Sequence, residues 1–232
     1  MIFEAVSSSS AGNFYLLRDS QGKTLALECG LRFAEIQRAL KHQVTSLDGV
    51  LISHAHGDHS RSLKELLRLS VDVYAPGEAF EAYGVLEHHN AHELHPLEVF
   101  NVNGWRVLPF ELVHDVPALG FLIEADGDKL LYVTDTAYVP YRFEGLTIIA
   151  IEANYSEAIL RESEENPTRK KRALQYHMSI ERVLGFLAAN DLSTVKEIHL
   201  LHLSDVHSDE AEFKRLVEEA TGKPVCVAPE RA

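Results

Sequence analysis

Cysteine is nearly missing from this sequence: Cys29 and Cys226 stand far apart and in no CxxC pair, so neither a disulfide framework nor a thiolate metal cage organises the chain. Positive charge is scarce as well. Lys+Arg number 22 against 35 Asp+Glu, a formal net charge of -13, which disfavours a surface that embraces a nucleic-acid backbone on all sides but leaves room for a local basic site. No run approaches the roughly 20 apolar residues of a membrane helix, and the opening MIFEAVSSSSAG has neither a cationic stretch nor a long apolar one. No membrane association and a cytoplasmic location are therefore expected. Low-complexity tracts and strict short-period repeats are also missing. With 232 residues, 46% hydrophobic and 25% charged, the chain reads as a single globular domain over 1–232. What it has in excess is histidine, 13 copies, most of them clustered.

Short apolar or alternating runs at 2–6, 14–18 and 23–28 are divided by the Ser/Gly/Asn turn at 7–13 and by Asp19-Ser20-Gln21-Gly22, and predict antiparallel strands. The pattern then changes. Arg32 to His42 places Phe33, Ile36 and Leu40 on one helical face, and Ser60 to Ser70 does the same with Leu63, Leu66, Leu67 and Leu69, on either side of a strand at 49–52. Further strands are expected at 71–75, 98–102, 106–112, 119–125, 129–134, 147–151, 197–201 and 224–228. Helices are expected after Tyr155, from Ser179 to about Asn190, and over 209–220. Strands that meander and then alternate with helices, in two similar halves, give two sheets with helices on their outer faces, an α/β four-layer αββα sandwich. The longest irregular stretches are 84–97 and 161–177, and long loops in compact domains are often functional.

The sharpest chemical signal is Ser53-His54-Ala55-His56-Gly57-Asp58-His59-Ser60, directly after strand 49–52 and directly before an amphipathic helix. Three imidazoles and a carboxylate on one strand-to-helix turn suit borderline divalent ions such as Zn²⁺ or Mn²⁺. They are more ligands than one tetrahedral ion takes from a single turn, which points to two ions. Downstream, His114, Asp135 and His202 each close or follow a predicted strand, where side chains can converge on one rim. Thr168-Arg169-Lys170-Lys171-Arg172 is a basic run in an acidic chain, and His88-His89-Asn90-Ala91-His92-Glu93-Leu94-His95 is a second histidine cluster, read as a solvated or substrate-lining loop.

His54-x-His56-x-Asp58-His59 resembles the HxHxDH signature of the metallo-β-lactamase superfamily, and His114, Asp135 and His202 follow in that family's order. The resemblance spans essentially the whole chain and implies the metallo-β-lactamase fold. It also implies that His54, His56 and His114 hold one metal, that Asp58, His59 and His202 hold another, and that Asp135 bridges them. Within the superfamily, Asp135 in place of the cysteine common in true β-lactamases, and Val113-His114-Asp115 without a Thr-Pro-Gly-His wording, both push toward phosphodiesters. His177-Met178-Ser179 together with His199-Leu200-Leu201-His202-Leu203-Ser204 is similar to a pair of motifs in tRNase Z-type and YycJ-type phosphodiesterases. That similarity implies a catalytic rather than a ligating His177. Ser8 to Leu17 and Ile151-Glu152-Ala153-Asn154-Tyr155 resemble further YycJ-like segments, while Glu28-Cys29-Gly30 stands where an Asp-x-Gly is expected and Ile180 where an Asn usually follows the His-Leu-Ser. There is no room for the large inserted domain of RNase J-like enzymes, and no basic, Gly-rich arm of the tRNase Z kind.

These readings together predict a metal-dependent hydrolase that cleaves phosphodiesters by a hydroxide held between two divalent ions, with Asp58 and His177 as catalytic groups. Arg169, Lys170, Arg172 and Asn154 are the candidate substrate-binding residues, and the substrate is expected to be a nucleic acid or nucleotide, a DNA or RNA exonuclease being the leading reading. A phosphodiesterase of small cyclic nucleotides, or an ester, thioester or lactone hydrolase on the same fold, are the alternatives. A homodimer is compatible with the resemblance.

Overall fold

The computed structural model describes residues 1–230. Apolar alternation at the N-terminus produces β1 (Ile2–Ser7), β2 (Phe14–Arg18) and β3 (Thr24–Leu27), an antiparallel meander. The chain then switches to parallel pairing through α1 (Phe33–Ala39), β4 (Gly49–Leu51), α2 (Gly57–Ser60), α3 (Leu63–Arg68), β5 (Val73–Ala75), α4 (Gly77–Tyr83) and β6 (Ala91–Glu93). The second half repeats the logic. β7 (Phe100–Val102), β8 (Trp105–Leu112), β9 (Ala118–Ala125) and β10 (Asp128–Val133) are antiparallel, and β11 (Ile148–Glu152), β12 (Glu197–Leu201) and β13 (Val225–Val227) extend the sheet in parallel. The intervening helices are α5 (Glu157–Glu162), α6 (Pro167–Tyr176), α7 (Ile180–Ala188) and α8 (Glu210–Thr221). The sheet orders are β1-β2-β3-β4-β5-β6 and β13-β12-β11-β10-β9-β8-β7.

Both sheets have two apolar faces, which is why four layers form. Tyr15, Leu25 and Leu51 meet Trp105, Phe121 and Tyr132 between the sheets. Outside the first sheet, Ile36, Leu63 and Phe80 of the helices cover Leu16, Val50 and Val73. Outside the second, Val183 and Phe213 cover Leu131 and Ile149. This is the expected αββα sandwich.

Three segments differ from the sequence reading. The helix expected over 60–70 is broken at 61–62, because the Ser62 N–H donates to the Cys29 carbonyl and its hydroxyl to that of Leu31, pulling the backbone out of register. The stretch 84–97 contains β6, a three-residue edge strand too short and polar to show a period. The stretch 161–177 is not a loop: it holds the end of α5 and all of α6. Asn166 caps α6 by accepting from the Thr168 N–H, and Pro167 opens it. Ala173 is its one buried residue, so no apolar stripe marks it in sequence.

Five chain crossings fix the site. β4, β8, β10, β11 and β12 all end on one rim, outside the C-terminal ends of the parallel strands, where open α/β sheets bind ligands. The turn after β4 is clamped by backbone: Asn13 and Cys29 N–H groups donate to the Asp58 and His59 carbonyls at 2.8 and 2.7 Å. Gly30 permits this approach, since a Cβ there would lie 1.6 Å from the Asp58 carbonyl oxygen. Gly30→Ala is accordingly expected to lower stability by about 1–3 kcal/mol, read as a fall in the urea midpoint with an unchanged slope. An unshifted midpoint would show that the turn does not depend on this contact.

Candidate metal centre

β4 delivers the chain, wholly buried, to Ser53 and His54. His54 Nε2 lies 3.1 Å from His56 Nδ1 and 3.3 Å from Asp135 Oδ2, and His114 Nε2 lies 3.2 Å from His56 Nδ1. Ligand atoms at the corners of a tetrahedron with bonds of about 2.0–2.1 Å stand about 3.3 Å apart, so these four side chains are spaced as the ligands of one ion. Their outer nitrogens are engaged. His54 Nδ1 bonds the Ser53 hydroxyl at 2.8 Å, and His114 Nδ1 donates to the Tyr176 carbonyl at 3.3 Å, which leaves each Nε2 lone pair facing inward.

A second cluster adjoins the first. His59 Nε2 is 2.9 Å from Asp135 Oδ2 and 3.4 Å from Asp58 Oδ2, and His202 Nε2 is 3.7 Å from Asp58 Oδ2. His202 Nε2 is buried without a hydrogen-bond partner. An orphaned imidazole nitrogen beside two carboxylates fits a divalent cation, so both donor sets could hold metal. Asp135 belongs to both clusters and to a third group of possible ligands with Glu152, His177 and His202. It is buried, which by itself raises a carboxyl pKa, yet His202 and His59 hold it well below the usual range. Burial disfavours charge on His202 too, but Asp135 and Glu152 push it up to about 10, and His59 is likewise raised against its burial by Asp135 and Glu28. Asp58 is brought to about 2 against its burial by His59 and His202. In the first cluster the sign reverses: burial and neighbouring imidazoles lower His54, and His114 falls to about 4.

Glu28, Asp135 and His202 share a local feature. Each directly or closely follows a strand and turns into the left-handed backbone region, with φ of 62°, 47° and 52°. That conformation costs a non-glycine residue about 1 kcal/mol or more and persists where surrounding structure over-determines it. At Glu28 the surroundings are explicit: its carboxylate accepts from the Tyr132 hydroxyl at 2.9 Å and the Ser53 N–H at 3.1 Å, and stands 3.4 Å from His59 Nδ1. The glutamate thus supplies the supporting carboxylate where an aspartate was expected. At His202, the backbone N–H donates to Ser8 Oγ at 2.8 Å, tying β12 to the chain's opening segment 194 positions away. Asn13, in that same segment, hydrogen-bonds the Asp58 carbonyl and His59 Nε2 through its side chain.

Beside the clusters lies a group the sequence reading did not assign. Glu152, fully buried at the end of β11, accepts from the Thr136 and Met178 N–H groups through Oε2 and sits 2.6 Å from His177 Nδ1 through Oε1. Burial opposes charge on His177, but Glu152 and Asp135 outweigh it and raise its pKa. An acid closing the otherwise apolar run Ile148–Glu152 was the available signal. His177 faces a cleft of about 410 Å³ lined by Ser10, Asn154, Arg169, Arg172 and His207. Arg172 pairs with Asp115 at 2.8 Å, and Asp115 in turn stands 3.1 Å from His114 Nε2. Arg169 is exposed and 3.5 Å from Glu165. Lys170 differs from its expected place: its ammonium is turned onto the carbonyls of Arg161 and Ser163 at the end of α5. Of the second histidine stretch, His92 binds Asp72 at 2.9 Å and His88 stacks on His89; among the described residues they form no metal-type cluster.

Residues 24–203 match the family described as the beta-lactamase superfamily domain. The chain belongs to that superfamily. It is 27% identical over 219 residues, covering 87% of this chain and 81% of the relative, to the exodeoxyribonuclease WalJ of Streptococcus pneumoniae. Its fold is that of the metallo-β-lactamase fold protein YhfI from Bacillus subtilis (TM-score 0.75, 14% identity, 99% and 97% of the two chains). It is also that of human tRNase Z, short form (TM-score 0.67, 18% identity, 100% and 98%). The expectation of a metal-dependent hydrolase of this superfamily is borne out, and no helix among the described residues is long and apolar enough to cross a membrane.

The raised histidines generate a test of metal binding. Because His59 and His202 retain protons above the ordinary imidazole value, metal uptake must displace them, and apparent affinity is expected to keep rising with pH between 6.5 and about 10. Chelator competition across that range reads it directly. Affinity that levels off just above 6.5, the ordinary imidazole value, would show that these two side chains do not ligate.

Proposed function

We propose that this protein is a dinuclear-metal phosphodiesterase that acts as a DNA or RNA exonuclease. The observation that carries the reading is the Glu152–His177 pair, set between the two donor clusters and a cleft that bears Arg169 and Arg172. In this reading His54, His56, His114 and Asp135 hold one Zn²⁺ or Mn²⁺ ion, and Asp58, His59, His202 and Asp135 hold the other. When bound, such ions acidify water and neutralise phosphate charge.

The chain's own groups then divide the work. Asp58 is ionised across the neutral range and orients the attacking water by accepting a hydrogen bond from it. His177, kept protonated by Glu152, stabilises charge on the phosphoryl oxygens or donates its proton to the leaving oxygen. Arg172, by exchanging Asp115 for phosphate, and Arg169 and Asn154 along the same wall, would hold the phosphates that flank the scissile one. Lys170, engaged with α5, is left out of this set. A relative named an exodeoxyribonuclease, aligned over most of both chains, supports a polymer substrate. An ester or lactone hydrolase has no use for two arginines in a cleft beside a histidine whose pKa is raised by a buried glutamate. The same reading takes residues 1–232 as one functional unit.

The deciding experiment offers end-labelled linear DNA and RNA beside cyclic nucleotides to Mn²⁺- or Zn²⁺-loaded protein, with Asp58→Ala as the blank. Stepwise loss of terminal nucleotides is expected, and cleavage of cyclic nucleotides alone would overturn the polymer reading. His177→Ala is expected to lose about 10²–10⁴-fold in turnover with its metal content retained. A variant that keeps its rate removes His177 from the mechanism. Glu152→Gln withdraws the charge that raises His177, so the alkaline limb of the pH–rate profile is expected to move to lower pH, and an unmoved limb would show that another group sets it.

A further inference from the structure

The metal clusters lie between two clefts of different charge, one mixed and one acidic. On the His177 side is the cleft in which Arg169 and Arg172 balance Glu165 and Asp205, so that cations offset the acids there. On the His114 side is a larger one, about 600 Å³, whose walls include Glu78, Glu93, Glu111 and Asp115 and, among the described residues, no lysine or arginine. The three glutamates come from separate elements, α4, β6 and β8, and all three are exposed. A strand that ran on across the centre into this second cleft would carry its phosphates past four carboxylates.

We infer that Glu78, Glu93 and Glu111 make the enzyme end-specific, by excluding chain phosphates from the His114 side of the centre so that only the terminal linkage of a strand can be cut. The inference rests on the phosphodiesterase reading above and deepens it: the substrate is a nucleic acid with a free end, its phosphate-bearing portion lying along α6 and only the last residue reaching over the metal ligands. The exclusion is electrostatic. Like charges repel a polyanion over roughly a Debye length, about 8–10 Å at ordinary ionic strength, without any contact being made, and added salt weakens the effect. None of the three glutamates belongs to the donor clusters or to the cleft proposed to bind substrate.

The test compares a linear single-stranded DNA with the same sequence closed into a circle, using wild-type protein and the Glu78→Lys/Glu93→Lys/Glu111→Lys variant. The wild type is expected to degrade the linear strand and leave the circle intact, and the variant to nick the circle while still degrading the linear strand, which also certifies its fold. A binding measurement in EDTA, where nothing is cleaved, reads the same property independently of turnover. Fluorescence anisotropy is expected to show affinity for the circle rising about tenfold or more in the variant, with the gain shrinking as salt is added. Wild-type nicking of the circle at a rate near that of the linear strand overturns the inference and leaves the nuclease reading standing. A variant that degrades linear DNA and ignores the circle, in both readouts, overturns the assignment to these glutamates. Failure of the wild type on either DNA and on RNA overturns the nuclease reading itself.

Discussion

One buried carboxylate sets the terms for the rest of this molecule. Asp135 sits at the end of β10 within reach of His54, His59, His177 and His202, with no lysine or arginine paired to it among the described residues. A carboxylate taken out of water is expensive unless opposite charge is supplied beside it. In the metal-free protein that charge comes from protons drawn onto His59 and His202, against the burial that would otherwise strip them. Protons therefore occupy the electrostatic role that suits divalent cations. The split between clusters follows: on the Asp58 side Asp135 outweighs burial and raises His59 and His202, while burial, helped by neighbouring imidazoles, lowers His54 and His114.

Keeping so many ligand atoms together coincides with strained backbone, and the supporting shell over-determines it. Glu28, Asp135 and His202 all hold left-handed backbone conformations. Glu28 and Glu152, two more buried acids, each fasten backbone N–H groups on one oxygen and an imidazole near the other. The arrangement is symmetrical in purpose, one glutamate bracing the metal-side His59 and the other bracing the cleft-side His177. Because each acid also takes hydrogen bonds from a neighbouring strand end, a disturbance at either histidine is felt in the packing of the rim.

What could be read in the sequence depended on how locally each feature is encoded. His54, His56, Asp58 and His59 lie within six residues on one turn, so their convergence follows from chain geometry alone. His114, Asp135 and His202 were legible through their order and their places at strand ends, because parallel strands bring those ends to one rim. The bracing function of Glu152 was not legible. It depends on the Thr136 and Met178 N–H groups, from two different loops, meeting the same oxygen. Nor was α6, whose surface position leaves no apolar period, and with it went the direction of Lys170: helical geometry turns that side chain back onto α5 while Arg172 reaches Asp115. Charge runs announce themselves by composition, whereas the direction each charge faces is decided by backbone conformation.

The bond between the His202 N–H and the Ser8 hydroxyl bears on how the protein comes into being. It joins positions 194 apart, and Asn13 makes similar ties to the turn at Asp58 and His59. Contacts so distant in sequence close late, after the entropy of bringing the ends of a long loop together has been met. During synthesis the turn at 54–59 emerges early, yet its partner histidine and the strand that carries it leave the ribosome only when most of the chain is already outside. A chain not yet extended to β12 thus lacks His202 and with it the second donor set. The dinuclear chemistry proposed for this fold is withheld, by topology alone, until β12 has been made and docked.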